Sequence, residues 1–98
     1  MYDHEKIVNS LVDEMNHFSD LPFSDKVEYK LLKYSWVYKF VLLEKFFDNG
    51  FDYQIYQICG TDIYPCLFYN EKKWGFRLVR SFASKEKAEN AYNALVTV

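Results

Sequence analysis

The chain begins with hydrophobic positions at helical spacing. An apolar stripe runs along residues 4–18 and consists of Ile7, Val8, Leu11, Val12, Met15 and Phe18. Asp3 can cap the start of this helix, and Pro22 follows its end. The pattern therefore predicts a first helix over about 4–18.

Residues 25–49 carry the longest apolar pattern and predict a second, long helix. At about 100° per residue the apolar side chains fall on two stripes. One stripe is Val27, Leu31, Tyr34, Tyr38, Leu42 and Phe46, and the other is Tyr29, Leu32, Trp36, Phe40, Leu43 and Phe47. A helix with two apolar sides packs on two sides, so we expect a central rod. Gly50 is expected to end it in the left-handed conformation.

After Gly50 the hydrophobic period changes to two, which indicates strands. Strands are predicted over about 51–59, 63–69 and 74–82. Pro65 cannot donate a hydrogen bond in a central strand. Either pairing begins after Pro65 or the strand order is not sequential.

The third predicted strand has one apolar face, made by Trp74, Phe76, Leu78 and Phe82. Ser84 then caps a last helix over about 85–96, whose apolar stripe is Ala88, Ala91, Tyr92 and Leu95. The order α-α-β-β-β-α predicts one α+β domain over 1–98. We expect two layers, with the helices on one face of a three-stranded antiparallel sheet.

Composition supports a packed domain. Half of the residues are hydrophobic and 20% are aromatic, which argues against disorder. The acidic start, Met1–Glu5, is not a signal peptide, and no uncharged stretch approaches the ~20 residues of a membrane span. We therefore expect a cytoplasmic protein that does not bind membranes.

Residues with metal-binding or catalytic chemistry are few. Cys59, Cys66, His4 and His17 lack the close-paired spacing of a zinc site, so the cysteines are expected to be ordinary thiols. The glycines form no phosphate loop, and there is no Gly-x-Ser-x-Gly motif. No catalytic residue, metal or cofactor is predicted, and the protein is not expected to be an enzyme.

The net charge of −2 hides an asymmetry. Residues 1–70 carry six lysines against eleven acidic residues, whereas residues 71–98 carry six basic residues against three acidic ones. A dipolar surface of this kind can steer a charged partner.

The third strand also predicts a docking surface. If Trp74 and Phe76 face the core, then Arg77 and Val79 face away, on a sheet face that a two-layer fold leaves open. Interface energy concentrates in aromatic and arginine residues, so this surface favours a protein partner. The predicted partner-binding residues are Tyr56, Ile58, Lys73, Arg77 and Val79. The opposite phasing of the strands, or coverage by the last helix, would remove this surface.

Two other surfaces remain as alternatives. An aromatic and basic sheet face can stack and neutralise a single-stranded nucleic acid, although the sequence pI of about 5.6 disfavours this. An acidic surface near the N-terminus could occupy the basic groove of a nucleic-acid-handling protein or of a toxin. Its residues are Asp13, Glu14, Asp20 and Asp25.

No motif assigns the chain to a family. In size, compactness and lack of a catalytic signature it is similar to small inhibitors from phages and mobile elements, including anti-CRISPR proteins, and to small immunity proteins. This resemblance involves no specific residues. It implies a stoichiometric protein-binding inhibitor or adaptor, and it leaves a homodimer open.

Overall fold

A computed structural model describes residues 4–19, 27–47, 50–60, 68–70 and 74–97. Two helices flank five strands in the chain. They are α1 (His4–Ser19), β1 (Val27–Ser35), β2 (Phe40–Phe47), β3 (Gly50–Gly60), β4 (Phe68–Asn70), β5 (Trp74–Phe82) and α2 (Lys85–Leu95). The strands form one antiparallel sheet of order β1-β2-β3-β5-β4, in which four strands are long and β4 has only three residues.

The predicted long helix over 25–49 is wrong, because this segment contains the hairpin of β1 and β2. The two strands pair from Val27 with Phe47 to Ser35 with Phe40, around a turn over residues 36–39. The segment is rich in β-branched and aromatic residues, which favour strands. A strand buried on both faces has an almost continuous apolar pattern, and this pattern also fits a helix with two apolar stripes. The turn contains no Gly or Pro that would signal it.

Gly50 begins β3 and does not end a helix. It pairs with Phe47, and no glycine among the described residues has a positive φ. The run Asp48-Asn49-Gly50 is as typical of a hairpin connection as of a helix end. Residues 48–49 themselves lie outside the described residues.

Each face of the sheet is covered by one helix. Along β2, Val41, Leu42 and Leu43 are all buried, and neighbouring side chains in a strand point to opposite faces. Val41 and Leu43 pack in the cluster that contains α1, whereas Leu42 packs with Ala88 and Tyr92 of α2. The fold therefore has three layers, and the predicted two-layer arrangement is wrong.

The order of the last strands is not sequential. β5 lies between β3 and β4, so β4 is an edge strand. The prediction over 63–69 corresponds in part to β4, and Pro65 lies outside the described residues. The prediction over 74–82 coincides with β5.

A register shift in β5 divides its side chains between the two faces. Tyr56 pairs with Leu78 but Ile55 pairs with Arg80, so Val79 is an extra residue in β5. After this bulge, Phe82 packs on the α2 side, while Trp74 packs on the α1 side. The expectation that Phe82 shares a face with Trp74 is therefore wrong.

The two terminal helices have the predicted positions. α1 occupies His4–Ser19, and α2 begins after Ser84, whose hydroxyl accepts a hydrogen bond from the Lys87 N–H (3.4 Å). Asn16 joins α1 to β1: its side-chain NH₂ donates to the Tyr29 carbonyl (3.0 Å), and its side-chain oxygen accepts from the Tyr29 N–H (2.7 Å).

The turn over residues 36–39 gives a direct test of the hairpin. Lys39 has a left-handed backbone, with φ of 63°. Lys39→Val should therefore be less stable than Lys39→Gly by about 1–2 kcal/mol, because this conformation is costly for a residue with a Cβ and easy for glycine. Both variants lose the lysine side chain, so their difference in urea denaturation isolates the backbone. In a helix Val is more stable than Gly, and that order would contradict the turn.

Candidate protein-binding surface

Two of the residues predicted to bind a partner are core residues. Tyr56 is 3% exposed and Ile58 is 2% exposed, and both pack in the α1-side cluster with Phe76. Ile58 also pairs directly with Phe76, so the two side chains share a face. The prediction that Tyr56 and Ile58 lie on an open sheet face is wrong, because α1 covers that face.

The part of β5 after Phe76 is exposed. All residues from Arg77 to Ser81 are solvent-exposed, with Leu78 at 40% and Val79 at 46%. The predicted residues Arg77 and Val79 are therefore on the surface, and Lys73 lies outside the described residues. We call residues 77–81 the β5 edge surface.

The β5 edge surface begins where the described pairing with β4 ends. β3 pairs with β5 along its length, whereas the described residues of β4 pair only with residues 74–76.

A cleft lies between β5 and α2, beside the β5 edge surface. Its volume is about 320 Å³. Its lining is apolar apart from one guanidinium and consists of Ile55, Val79, Arg80, Ala91, Ala94 and Leu95. The two alanines leave room between helix and sheet. The Arg80 guanidinium lies 5.0 Å from the centre of the Phe82 ring.

The cleft was not predicted from the sequence, because all helices were expected on one face of the sheet. The sequence nevertheless contains a signal for the cleft. Small residues on the last helix indicate that this helix lies close to the strand that carries the arginines. Leu78 was also missed, since its alternation with Phe76 suggested the core.

The surface around the cleft is basic. Arg77, Arg80, Lys85 and Lys87 are exposed, and within residues 77–87, which the structure describes throughout, the exposed acidic residue is Glu86. The half-buried Glu89 lies further along α2. This region therefore favours a negatively charged partner.

Side-chain hydrogen bonds of β3 connect it to the β5 edge surface. The Tyr56 hydroxyl donates to Oε1 of Gln54 (2.7 Å), and Nε2 of Gln54 donates to Oγ of Ser81 (3.2 Å). Gln54 is the buried polar residue of the described core. These hydrogen bonds hold Ser81 against β3, so this part of β5 has a fixed position.

Burial also changes the acid–base behaviour of the tyrosines. Desolvation raises the pKa of Tyr56, with a smaller contribution from Tyr29, and desolvation raises the pKa of Tyr92 from 10.0 to about 12. In the unfolded chain these phenols ionise near pH 10. Because the folded pKa is the higher one, the stabilisation is complete below about pH 10, and the contribution of Tyr92 is lost as the pH rises to about 12.

We therefore expect the melting temperature to fall as the pH is raised above about 10. Tyr92→Phe should reduce this dependence, because it removes one of the phenols. The measurement is a series of thermal melts between about pH 8 and about pH 12 for the two proteins. An identical alkaline decline in both proteins would contradict the assignment to Tyr92.

The acidic surface predicted as an alternative is only partly described. Asp13 is exposed and Glu14 is half-buried, both on α1, while Asp20 and Asp25 lie outside the described residues. Only Asp13 and Glu14 of this surface can therefore be placed.

An aromatic cluster lies where α1, the turn over residues 36–39 and the start of β5 meet. The His4 ring stacks on Trp36 (4.3 Å between centres), Trp74 meets Trp36 edge-on (5.1 Å), and the Lys39 ammonium lies 4.5 Å from the Trp36 ring. Nε1 of Trp74 is buried and has no hydrogen-bond partner among the residues that the structure describes. Val37, 84% exposed, lies beside this cluster in the turn. The contacts join α1, the turn and β5, so this cluster is mainly structural.

The described residues offer little catalytic chemistry. The Cys59 thiol is buried, with Sγ 3.9 Å from the carbonyl oxygens of Gln57 and Gly75, and Cys66 lies outside the described residues. No cluster of three potential metal ligands is found within the described ranges. Neither described helix has the length and apolar character needed to cross a membrane.

Comparisons with known proteins give no relative. The chain matches no protein-family model, no curated protein and no solved structure significantly.

Proposed function

We propose that the protein is a non-catalytic protein-binding module, a small stoichiometric inhibitor or adaptor, that docks its partner on the β5 edge surface. One observation carries the proposal: five consecutive residues of a strand, 77–81, are solvent-exposed, and Leu78 and Val79 among them are large apolar side chains. Exposed apolar side chains that lie next to one another mark interaction sites.

The composition of this surface supports a protein partner. Leu78 and Val79 are large apolar side chains at the surface, and arginines flank them. Protein interfaces combine an apolar centre with arginine anchors in this way. The hydrogen bond from Gln54 to Ser81 holds the strand in position before binding, which lowers the entropic cost of association.

The decisive experiment compares two substitutions on the β5 edge surface with one elsewhere. Val79→Asp and Arg77→Glu should each weaken binding of a partner captured from a lysate of the producing cells by about thirty-fold or more, since an anchor contributes about 2 kcal/mol. Val37→Asp is the matched control, because Val37 is also exposed but lies in the turn between β1 and β2, and β3 separates these strands from β5. Titration of the purified partner measures the affinities.

Thermal melts of the same variants separate binding from folding. Because residues 77 and 79 are exposed, the melting temperatures should change little. Loss of binding in Asp13→Lys with Glu14→Lys, with no effect of the β5 substitutions, would contradict the proposal and favour the acidic surface.

A further inference from the structure

We infer that the cleft between β5 and α2 is a binding site for a small apolar carboxylate of the fatty-acid type, whose hydrocarbon chain enters the cleft and whose carboxylate pairs with Arg80. A small-molecule site of this kind goes beyond the proposed function, which concerns a protein partner. Three features of the described residues support it: the shape of the cleft, its apolar lining and the cation that borders it.

The shape of the cleft follows from small side chains on one flank of α2. The buried residues Ala88 and Tyr92 hold α2 against the sheet. Ala91 and Ala94 lie on the flank that borders the cleft, opposite Val79 of β5. An alanine side chain ends at Cβ, so a space of about 320 Å³ stays unfilled between helix and strand. Ligand pockets usually have about 300–1,000 Å³, so this cleft suits a small ligand.

The apolar lining follows from the register of β5. Arg80 pairs with Ile55, which packs on the α2 side, and Val79 is the extra residue of the bulge next to it. Ile55 is 1% exposed, so the floor of the cleft is apolar and closed to water. Leu95 of α2 completes the lining. A hydrocarbon chain that enters this space leaves water, which strengthens binding by up to about four-fold for each CH₂ group that is buried.

The cation that borders the cleft is Arg80. Its guanidinium lies 5.0 Å from the centre of the Phe82 ring and forms no ion pair with a described carboxylate. A guanidinium that lies over a ring keeps the N–H groups at its edge available, and these match the two oxygens of a carboxylate. The site therefore favours an anionic head group attached to an apolar body.

Other small ligands would use only one of these features. Inorganic phosphate would pair with Arg80 but leave the apolar lining in contact with water. A neutral hydrocarbon would fill the cleft but leave the guanidinium without a counter-charge. The apolar carboxylate uses both, so head group and chain should each contribute to its affinity.

The test is a titration of the intact, isotope-labelled protein with sodium octanoate, followed through the amide signals in NMR spectra. Octanol and octylammonium carry the same chain with a neutral and a cationic head group, and inorganic phosphate carries charge without a chain. Octanoate should bind at least about ten-fold more tightly than each of these three, because a hydrogen bond to a charged group is lost or the chain is missing. The largest signal changes should belong to Val79, Ala91 and Ala94.

A series of fatty acids from butanoate to octanoate measures the contribution of the lining. The affinity should rise about two- to four-fold with each added CH₂ group. An affinity that does not depend on chain length would show that charge alone is recognised, and the inference would be wrong.

Two substitutions separate the head group from the chain. Arg80→Gln should weaken octanoate binding at least about ten-fold and leave octanol binding within about two-fold, because it removes only the charge. Ala94→Phe fills the cleft and should weaken both ligands at least about ten-fold. Ala94 and Arg80 are exposed, so the melting temperatures of both variants should change little.

Lys33→Gln and Asn93→Phe are the matched controls. Lys33 is exposed on β1, Asn93 is exposed on α2, and neither residue lines the cleft. Each control makes the same kind of change as its counterpart in the cleft, so octanoate affinity should stay within about two-fold of wild type.

Four results would overturn the inference. They are equal affinities for octanoate and octylammonium, signal changes that lie away from the cleft, unchanged octanoate binding in Ala94→Phe, and the same loss of octanoate binding in Lys33→Gln as in Arg80→Gln. None of these results bears on the proposed function, which depends on capture of a protein partner by wild type and on its loss in Val79→Asp and Arg77→Glu.

Discussion

Phe76→Ala should lower the free energy of unfolding by about 3–5 kcal/mol, the range observed when a buried aromatic side chain is truncated in a core. The Phe76 side chain is fully buried, and its ring lies 5.8 Å from the ring of Tyr56. It packs in the cluster between α1 and the sheet, so truncation leaves a cavity that neighbouring strands can fill only partly. Small domains have total stabilities of about 5–15 kcal/mol, so the variant should be close to unfolding.

Urea denaturation of Phe76→Ala measures this loss, and Phe51→Ala is its control. Phe51 is also in the sheet but is exposed, so the same change of side chain should cost much less. Equal losses in the two variants would show that Phe76 is not in the core.

Leu42→Ala should lower the free energy of unfolding by about 2–5 kcal/mol, through the core on the opposite face. Leu42 is fully buried on the interior strand β2 and packs with Ala88 and Tyr92 of α2. Its loss removes part of the contact between α2 and the sheet, to which Ile55 of β3 also contributes. The α1-side cluster, which lies across the sheet, should keep its packing.

Two measurements identify this effect. Urea denaturation gives the loss of stability, with Val37→Ala as the control at an exposed position, expected to change it by at most about 0.5 kcal/mol. Methyl NMR spectra report the two cores separately. If Leu42→Ala changes the methyl signals of Val8 and Leu11 in α1 as strongly as those of α2 residues, the three-layer arrangement is contradicted.

The parts of the fold that the sequence predicts are those with strong local signals. α2 has a Ser84 cap and a regular apolar stripe, and β5 has clear alternation up to Phe76. The hairpin over residues 27–47 could not be recognised in this way. Its strand β2 is buried on both faces, so alternation is lost, and its turn has a lysine in the left-handed conformation that glycine usually takes.

The exposure of Arg77 could be predicted because alternation is a local signal. Alternation along β5 predicts that Arg77 points away from Phe76, and in the structure Phe76 is fully buried whereas Arg77 is exposed. Tyr56 and Ile58 were predicted to be exposed because the fold was expected to have two layers. In the structure α1 covers the face of the sheet on which Tyr56 and Ile58 lie, so their side chains are buried.

The side chain of Asn16 has a consequence for self-association. β1 is the other edge of the sheet, and the Asn16 carboxamide occupies both outward backbone groups of Tyr29, as a neighbouring strand would. A sheet with two open edges can add copies of itself at both ends and grow into a fibre. Here the Asn16 side chain blocks strand addition at Tyr29 of β1, so copies of the protein cannot extend the sheet through this position.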